Sequence, residues 1–346
     1  MPRITAKSIC LIRLSSLGDI VHALAVVNGL RRGYPDASIT WVLNPLGKAM
    51  IGEQPAVDKF ILFKSNKIIG NWMDLLSYRN TLEFDLVILP QVSFKAGLVS
   101  ACLKAKIKLG FDRGRSRELH GSFINTRIPA GDLKHAQDMM FDFLDYLEIP
   151  NENPEWNFHF TAEEIHWRNE FRNQFDKPIA SFVVASSKQE KDWTPEGYAK
   201  VIDYVSERAD LSPVLIGGPS TREYDIAKRI CQLVHIPVKN ALEKPIRHTL
   251  LQISASALVI SPDTGPLHAA VAMKVPTIGL YGYSNPRRCG PYNRFQDLLI
   301  DKYNDSAAED EKINRKTKPE RMMLITPEEV IEKIEFALKN YVPSLS

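Results

Sequence analysis

Short apolar runs alternate along the chain with stretches whose apolar positions recur at the helical period. The short runs predict strands at residues 8–14, 38–43, 86–89, 179–184, 213–216, 257–261 and 277–281. The longer periodicity predicts helices at residues 19–32, 194–208, 220–234 and 266–273. Strands that alternate with helices are typical of parallel sheets covered by helices on both faces, so the predicted fold class is α/β.

The alternation is interrupted between residues 149 and 178, which we interpret as the boundary between two domains. Pro150 and Pro154 break the pattern, and a charged helix predicted at residues 163–175 precedes the next strand. A polar segment at residues 301–321 follows the second sheet, and Thr326 opens a last amphipathic helix. We expect domains at residues 1–160 and 161–325, and a C-terminal helix within residues 326–346 that packs back towards the first domain.

Composition and charge exclude several classes of protein. The chain has 346 residues, and its formal net charge of +3 is too small to indicate a nucleic-acid binder. Its four cysteines are widely scattered without a CxxC pair, which predicts buried apolar side chains in a reducing compartment and no disulfides. No run approaches the ~18 apolar residues of a membrane span. We therefore expect a cytoplasmic protein that touches a membrane at most peripherally.

The first candidate for chemistry is the loop between the first predicted strand and the first predicted helix. It contains Ser16 and Gly18 and ends at Asp19. In open α/β sheets such strand-to-helix loops bind ligands, because backbone N–H groups and the positive end of a helix gather there. A plain helix N-cap is an equally ordinary role for Asp19. The loop lacks GxGxxG, which disfavours a dinucleotide site.

A similar loop in the second domain follows the strand predicted at residues 257–261. Asp263, Thr264 and Gly265 lead into a helix with Pro266 in its first turn and His268 just beyond. Backbone N–H groups and the Thr264 hydroxyl could hold a diphosphate there without a metal ion. A simple capping loop explains the same residues, and a lone histidine such as His268 is more often packed than catalytic.

Two further loops of the second domain have the composition of an anion or nucleotide site. Ser186, Ser187 and Lys191 precede a predicted helix, which suits an anionic ligand, although solvated lysines are common at such places. The loop at residues 217–223 has two glycines that could admit a nucleotide base or ribose, and it ends at Glu223.

A run of cations in the first domain could hold the carboxylates or phosphates of an acidic partner. A solvated face explains the run equally well, and too few aromatic residues are interleaved for single-stranded nucleic acid. The cations are Lys104, Lys106, Lys108, Arg113, Arg115 and Arg117, with Lys134 and His135 further along.

The order and spacing of these motifs closely resemble the lipopolysaccharide heptosyltransferases of glycosyltransferase family 9. The resemblance spans nearly the whole chain. The motifs that carry it are Arg13-Leu14-Ser15-Ser16-Leu17-Gly18-Asp19, Ser186-Ser187 with Lys191-Asp192-Trp193, Ser261-Pro262-Asp263-Thr264-Gly265-Pro266-Leu267-His268, Lys134-His135-Ala136 and Gly290-Pro291-Tyr292.

The resemblance implies a GT-B fold, in which two Rossmann-like domains face a central cleft, and transfer of heptose from ADP-heptose with inversion. It implies no metal ion or other cofactor, and it makes Asp19 the general base and Lys191 the residue that neutralises the departing ADP. The nucleotide-sugar side would comprise Ser186, Ser187, Glu223, Asp263, Thr264, Gly265 and His268. The acceptor side would comprise Ser16, Gly18, Gln91, Arg113, Arg115, Arg117, Lys134 and His135.

The expected partners are a nucleotide-sugar donor and a lipid-linked acidic glycan of the lipopolysaccharide inner core, carrying Kdo or heptose, and no nucleic acid. A lipid-linked acceptor implies peripheral contact with the cytoplasmic face of the inner membrane, for which residues 68–73 are a candidate. Three alternatives stay open. They are a transferase with another nucleotide-sugar donor, a nucleotide-sugar isomerase on the same scaffold, and a non-catalytic nucleotide-sugar-binding protein.

Overall fold

The chain folds into two compact units, Met1–His159 and Phe160–Ser346, in a computed structural model. The structure describes residues 4–64, 73, 76–77, 81–242, 245–304 and 312–342. The division falls one residue before the domain boundary expected from the sequence. Of the candidate membrane segment at residues 68–73, all but Met73 lies outside the described residues.

The first unit is a parallel six-stranded sheet with the strand order β3-β2-β1-β4-β5-β6. Its strands are β1 (Ser8–Ile12), β2 (Ser38–Leu43), β3 (Lys59–Leu62), β4 (Glu83–Leu89), β5 (Lys104–Gly110) and β6 (Thr126–Arg127). The described helices are α1 (Leu17–Gly33), α2 (Pro45–Ile51), α3 (Phe94–Cys102) and α4 (Ala136–Tyr146). The central strands are nearly continuous apolar runs because helices cover both faces of the sheet.

The second unit repeats the architecture, with the strand order β12-β11-β10-β7-β8-β9 and parallel pairing. Its strands are β7 (Ile179–Val183), β8 (Ser212–Ile216), β9 (Lys239–Asn240), β10 (Ser256–Pro262), β11 (Thr277–Tyr281) and β12 (Leu299–Asp301). Its helices are α5 (Ala162–Arg172), α6 (Pro195–Arg208), α7 (Thr221–Leu233), α8 (Ile246–Ser254), α9 (Gly265–Ala272), α10 (Pro286–Cys289) and α11 (Pro327–Asn340).

The predicted α/β class with parallel sheets is confirmed, and every strand and helix predicted from periodicity is present, with ends within three residues. The strands that the sequence analysis did not predict lie mostly towards the edges of the sheets. The instructive one is β5, whose Lys104, Lys106 and Lys108 alternate with apolar residues. Only Leu109 and Gly110 of β5 pair with β6, so for residues 104–107 no described strand lies on the outer side.

The last helix, α11, packs within the second unit, whereas the sequence analysis expected it to turn back towards the first domain. Its buried residues Val330, Ile334 and Ala337 join the core formed by β7, β8, β10 and α6. Just before it, the Trp193 indole N–H donates to the carbonyl oxygen of Ile325 at 3.0 Å. The apolar stripe of the helix is thus covered by its own unit.

All four thiols are free, as expected, but only Cys10 and Cys289 are buried, while Cys102 is half-buried and Cys231 is exposed. No helix within the described residues has the length and apolar character needed to cross a membrane.

Candidate active site

At the carboxyl end of β1, a short loop leads into α1 and holds Asp19 in an ion pair. Ser16 is the N-cap of α1, so Asp19 is the third residue of the helix rather than its cap. Asp19 Oδ2 accepts hydrogen bonds from the Ser16 amide at 3.0 Å and from the Ser16 hydroxyl at 2.9 Å. Its Oδ1 lies 2.5 Å from Arg13 Nη2. The Asp19 side chain is 29% exposed and that of Arg13 is 11% exposed, so the pair presents its carboxylate to solvent.

The surroundings of Asp19 keep it ionised. Burial raises the pKa of the Asp19 carboxyl, but the charge and hydrogen bond of Arg13, the positive charge that His22 can carry and the Ser16 amide outweigh it. The resulting pKa lies well below its usual range. Asp19 is therefore a carboxylate at neutral pH, with an exposed edge available to a ligand.

Arg13 and Gln91 tie this loop to the end of β4. Arg13 Nη1 donates to the carbonyl oxygen of Pro90 at 3.2 Å. Gln91 Oε1 accepts from the Leu14 amide at 2.7 Å, and its Nε2 donates to the Ser93 hydroxyl at 3.1 Å. Gln91, predicted to bind the acceptor, thus lies at the same sheet edge as Asp19, where its amide braces the loop.

The predicted basic run separates into two parts. Its lysines lie along β5, where Lys106 pairs with Asp85 at 2.6 Å and Lys108 donates to the Ser100 carbonyl at 2.6 Å. The hydrogen bond from Lys106 and those from the Lys7 and Ser8 amides lower the pKa of Asp85 to about 2. Asp85 lies near the amino end of β4, so this pair is remote from the carboxyl edge where Asp19 lies.

The arginines follow β5, and they do not share one role. Arg115 is 3% exposed, and its guanidinium contacts Asp112, Asp142 and the Pro129 carbonyl. Lys134 also pairs with Asp142, at 2.7 Å. Arg115 was predicted to bind the acceptor, but its buried contacts give it the role of holding the loop.

Arg113 and Arg117 are exposed on the loop that Arg115 holds. These two side chains, and not Arg115, present positive charge to solvent there.

His135 lies on the N-terminal side of α4 and faces α1. It is the N-cap of α4, with its Nδ1 accepting from the Gln137 amide at 3.1 Å. The His135 ring meets the His22 ring edge to face, with centroids 5.7 Å apart. The structure therefore brings His135 beside the turn of α1 that follows Asp19. His22 and Gln137 were not identified from the sequence, although His22 follows Asp19 at a helical spacing of three.

In the second unit, Lys191 and Asp263 form an ion pair in which, unlike the Arg13–Asp19 pair, the cation is the more accessible partner. Lys191 Nζ lies 2.5 Å from Asp263 Oδ2, and the side chains are 19% and 9% exposed, respectively. His268 Nε2 lies 3.4 Å from the other carboxylate oxygen, Oδ1. The Cys289 thiol lies 3.5 Å from Oδ2. Here the carboxylate is the more buried partner, and the ammonium group is the more accessible one.

Asp263 is also held in its ionised form. Burial raises the pKa of its carboxyl, but the hydrogen bond and charge of His268 and the charge and hydrogen bond of Lys191 outweigh it. The pKa of Asp263 therefore lies well below its usual range, whereas burial raises the pKa of the Cys289 thiol well above its own. The predicted donor-side residues Lys191, Asp263 and His268 thus meet in one cluster.

Thr264 and Gly265 form the start of α9 beside this cluster. Thr264 is the N-cap, and its hydroxyl accepts from the Leu267 amide at 3.2 Å and shares a 3.0 Å hydrogen bond with the Ser261 hydroxyl. Gly265 is the first residue of the helix, so its backbone N–H is among those without an intrahelical partner.

The loop after β7 uses Ser186 internally and leaves Ser187 exposed. The Ser186 amide donates to Asp192 Oδ1 at 2.7 Å, and the Ser186 hydroxyl donates to the Lys188 carbonyl at 2.7 Å. Arg222 binds both the Ser186 carbonyl and Asp192. Ser187 is therefore the hydroxyl of this loop that is open to solvent.

Glu223, predicted to bind the nucleotide sugar, closes the loop before α7. Its carboxylate accepts from the Gly218 amide at 2.8 Å and from the Ser220 amide at 3.3 Å. The Glu223 amide in turn donates to the Ser220 hydroxyl oxygen at 3.2 Å, which completes a capping box. A Cβ on Gly218 would lie 3.0 Å from Glu223 Oε2, so glycine lets the backbone approach this carboxylate. These contacts give Glu223 a structural role in shaping the loop.

No group of three or more His, Cys, Asp and Glu side chains in the described part of the chain is arranged to hold a metal ion. The charges at the two sheet edges are instead balanced by the side chains of Arg13 and Lys191.

Comparison with known proteins places this architecture in a family. Residues 79–318 match the model of glycosyltransferase family 9 (heptosyltransferase). The chain is 34% identical over 305 residues to lipopolysaccharide core heptosyltransferase OpsX of Haemophilus influenzae. The matched region covers 87% of this chain and 86% of that protein.

Solved structures support the same fold. A family 9 glycosyl transferase from Veillonella parvula matches with a TM-score of 0.82 at 21% identity, covering 96% of this chain and 97% of its own. The E. coli heptosyltransferase WaaC with ADP matches with a TM-score of 0.73 at 19% identity, covering 95% and 99%. The two parallel sheets are thus those of a GT-B fold, and the chain is a glycosyltransferase that belongs to family 9, the heptosyltransferase family.

Proposed function

We propose that this enzyme transfers heptose from ADP-heptose, with inversion, to a Kdo or heptose residue of the lipopolysaccharide inner core, and that Asp19 is its general base. The observation that carries the proposal is the reversed polarity of its two ion pairs. The first unit exposes the carboxylate of the Arg13–Asp19 pair, and the second exposes the ammonium group of the Lys191–Asp263 pair. A base and a diphosphate-binding cation are the two groups that such a transfer needs.

Donor and acceptor are inferred from relatives together with this geometry. OpsX is by name a lipopolysaccharide core heptosyltransferase, and one WaaC structure contains ADP-2-deoxy-2-fluoro heptose. The exposed Arg113 and Arg117, on the loop held by Arg115, suit the negative charge of an inner-core acceptor.

The reaction is a single displacement at the anomeric carbon. The acceptor oxygen forms a bond to that carbon while its O–H bond breaks, and Asp19 receives the proton. On the opposite face, the bond from the anomeric carbon to the diphosphate oxygen breaks, and its electron pair leaves with ADP. Attack and departure on opposite faces invert the configuration, as in inverting glycosidases.

Lys191 would stabilise the departing ADP. Its ammonium group is held by Asp263, which fixes its position, and its partial exposure allows a phosphate oxygen to approach. The backbone N–H groups at the start of α9, beginning with Gly265, add donors at the positive end of a helix. In this proposal these groups take the place of a metal ion, so the enzyme requires no cofactor.

The location follows from the proposed acceptor. A lipid-linked glycan would bring the enzyme to the cytoplasmic face of the inner membrane as a peripheral protein, with no role for nucleic acid.

The activity is tested by supplying donor and acceptor together. Thermal shifts with ADP, UDP, GDP and NAD should single out ADP, because a ligand at ~100 times its Kd stabilises by about 2.7 kcal/mol. With ADP-heptose and a Kdo-lipid acceptor, the enzyme should then release ADP, which mass spectrometry detects. Selectivity for another nucleotide would indicate another donor, conversion without acceptor an isomerase, and binding without turnover a non-catalytic protein.

The role of Asp19 is tested by Asp19→Asn. Turnover should fall by ~10² to 10⁴, the usual contribution of a general base, while ADP affinity stays unchanged. Asp36→Asn makes the same chemical change at an exposed carboxylate in the turn before β2 and should retain full turnover. Retention of activity by Asp19→Asn would refute the assignment.

A further inference from the structure

The first turn of α7 contacts two neighbouring loops of the second unit. Arg222 and Glu223 are the second and third residues of this helix. Glu223 accepts from the Gly218 amide in its own loop, after β8, whereas Arg222 reaches the loop after the adjacent strand β7. Consecutive residues of a helix point about 100° apart, so one turn can hold two loops. Nothing in the mechanism above uses Arg222.

Arg222 closes a ring of contacts with Asp192 and Ser186. Its Nη1 pairs with the Asp192 carboxylate, and its Nη2 donates to the Ser186 carbonyl oxygen. Asp192 Oδ1 accepts from the Ser186 amide at 2.7 Å. The ring thus joins the two ends of the segment at residues 186–192. An arginine suits this place because its planar guanidinium offers N–H groups in a fixed geometry to two different acceptors.

The segment between these two ends carries Ser187, which is exposed, and Lys191. Lys191 directly precedes Asp192, and its amide donates to the Lys188 carbonyl oxygen at 3.1 Å. Its ammonium group is held separately by Asp263, at 2.5 Å. Lys191 is therefore fixed twice, at its side chain through Asp263 and at its backbone through Asp192.

The pair between Arg222 and Asp192 is partly buried on the side of the acid. The Asp192 side chain is 8% exposed, and that of Arg222 is 32% exposed. Without the guanidinium, Asp192 would keep the Ser186 amide but lose its countercharge, and an uncompensated charge is costly in a largely buried site. The segment would rearrange to bring the carboxylate to water, and the adjacent Lys191 would move with it.

We propose that Arg222 is a positioning residue for the donor: through Asp192 and the Ser186 carbonyl it holds the segment at residues 186–192 in the arrangement that directs Lys191 towards the diphosphate. This inference rests on the proposed function, in which Lys191 binds the departing ADP. In this role Arg222 touches neither substrate nor product and acts only through Lys191.

The test is a double-mutant cycle measured by calorimetric titration with ADP. Arg222→Met should weaken ADP binding by about tenfold, within the range of couplings between residues of one network. Lys191→Met should also weaken it. The double variant should bind ADP no more weakly than Lys191→Met alone, because the segment then has no ammonium group to place. A direct contact of Arg222 with the phosphates, or unrelated damage to the fold, would add its own loss in the double variant and would overturn the inference.

Asp192→Asn tests the ring from its other side. Asparagine keeps an oxygen for the Ser186 amide and loses the charge that pairs with Arg222. The variant should lose about as much ADP affinity as Arg222→Met, and the two substitutions together should lose no more than either alone. Because the combined variant has no unpaired carboxylate, it serves as the measurement if Arg222→Met fails to fold. Wild-type affinity for ADP in the combined variant would contradict the inference.

Arg229→Met is the matched control. Arg229 lies on the same helix and pairs with Glu196 at 3.5 Å, and the two side chains are 54% and 59% exposed. This variant should bind ADP as wild type does. In turnover, Arg222→Met should lower kcat/KM for ADP-heptose and leave KM for the acceptor unchanged. A rise in the acceptor KM would show that the effect spreads beyond the donor side and would count against the assignment.

The outcomes separate this inference from the proposed function. If Lys191→Met binds ADP as wild type does, the role proposed for Lys191 fails and this inference fails with it. If Lys191→Met binds ADP weakly and Arg222→Met binds it normally, only the positioning role of Arg222 fails.

Discussion

Each unit places an aspartate just after a central strand, but the strands are not equivalent, since β1 is the first strand of its unit and β10 the fourth, and the two aspartates differ in accessibility. Asp19 follows the first strand of the first sheet, and Asp263 follows β10 of the second, each next to a helix start. In the first unit the cation is the more buried partner, at 11% against 29%. In the second the carboxylate is the more buried partner, at 9% against 19%. The fold supplies the position, and burial decides which charge is offered to a ligand.

The anchors of the buried partners explain the difference. Arg13 is fixed by the Pro90 carbonyl, which leaves Asp19 at the surface. Asp263 is surrounded by Lys191, His268 and the Cys289 thiol, which leaves Lys191 to face outward. An exposed carboxylate suits proton removal, and an exposed ammonium group suits a diphosphate.

Within the second unit, the largest expected effect comes from removing the exposed cation. Lys191→Met keeps the length of the side chain and loses its charge. Turnover should fall by ~10² or more, as for the loss of one group that stabilises a developing anion, and ADP should bind more weakly. Steady-state kinetics and calorimetric ADP titration measure both.

Lys188→Met is the matched control, because Lys188 lies in the same loop with its ammonium group over the Tyr283 ring. Normal kinetics in Lys191→Met would remove Lys191 from the site.

Stability should also reveal which partner is buried. Lys191→Met leaves the buried Asp263 carboxylate without its lysine and should cost about 3 kcal/mol of unfolding free energy. Asp263→Asn leaves the more accessible Lys191, which water can reach, and should cost about 1 kcal/mol. Urea denaturation at pH 8 compares them. Equal losses would show that burial does not distinguish the two partners.

Acid should weaken the second pair in a defined direction. The pKa of Asp263 is lower in the folded protein than in the unfolded chain, so its stabilisation is fully present above the unfolded pKa, about 4. It is lost as pH falls below that value towards the folded pKa. Between pH 5 and pH 3, wild type should therefore lose more unfolding free energy than Asp263→Asn. Parallel curves would mean that Asp263 is not preferentially stabilised as a carboxylate.

The smallest effect is expected away from the carboxyl ends of the two sheets, where the two ion pairs lie. Lys106→Ala removes the exposed partner of Asp85 and should barely change the free energy of unfolding, as is usual for surface pairs. Turnover and ADP affinity should be unchanged. A clear loss of turnover would show that the lysines of β5 contribute to the site after all.

The sequence was sufficient for the positions of the central strands and for the loops that carry Asp19 and Asp263, because both follow from short-range patterns. Which partner of each ion pair is buried was not predictable, since that depends on contacts between distant residues: the Pro90 carbonyl lies 77 residues from Arg13, and Lys191 lies 72 residues from Asp263. Arg115 was predicted to bind the acceptor because its ion-pair partner Asp142 lies outside the basic run, so the pairing of the two residues was not visible in the sequence.

Two signals were present and not used. The spacing of Ser220 and Glu223 is that of a capping box, which assigns Glu223 to the helix start. The alternation of Lys104, Lys106 and Lys108 has the period of a strand, although the three were interpreted as part of a basic patch.

The lysines of β5 bear on the solubility of the protein. Beyond the two residues paired with β6, Asn125 bonds the backbone of Lys106 and Lys108 and so covers an edge that would otherwise be a template for association with another chain. Three positive charges within five residues would repel the same edge of a second molecule. Acetylation of these lysines would remove that repulsion while leaving both ion pairs of the active site intact, and Asn125 would then be the remaining protection of this edge.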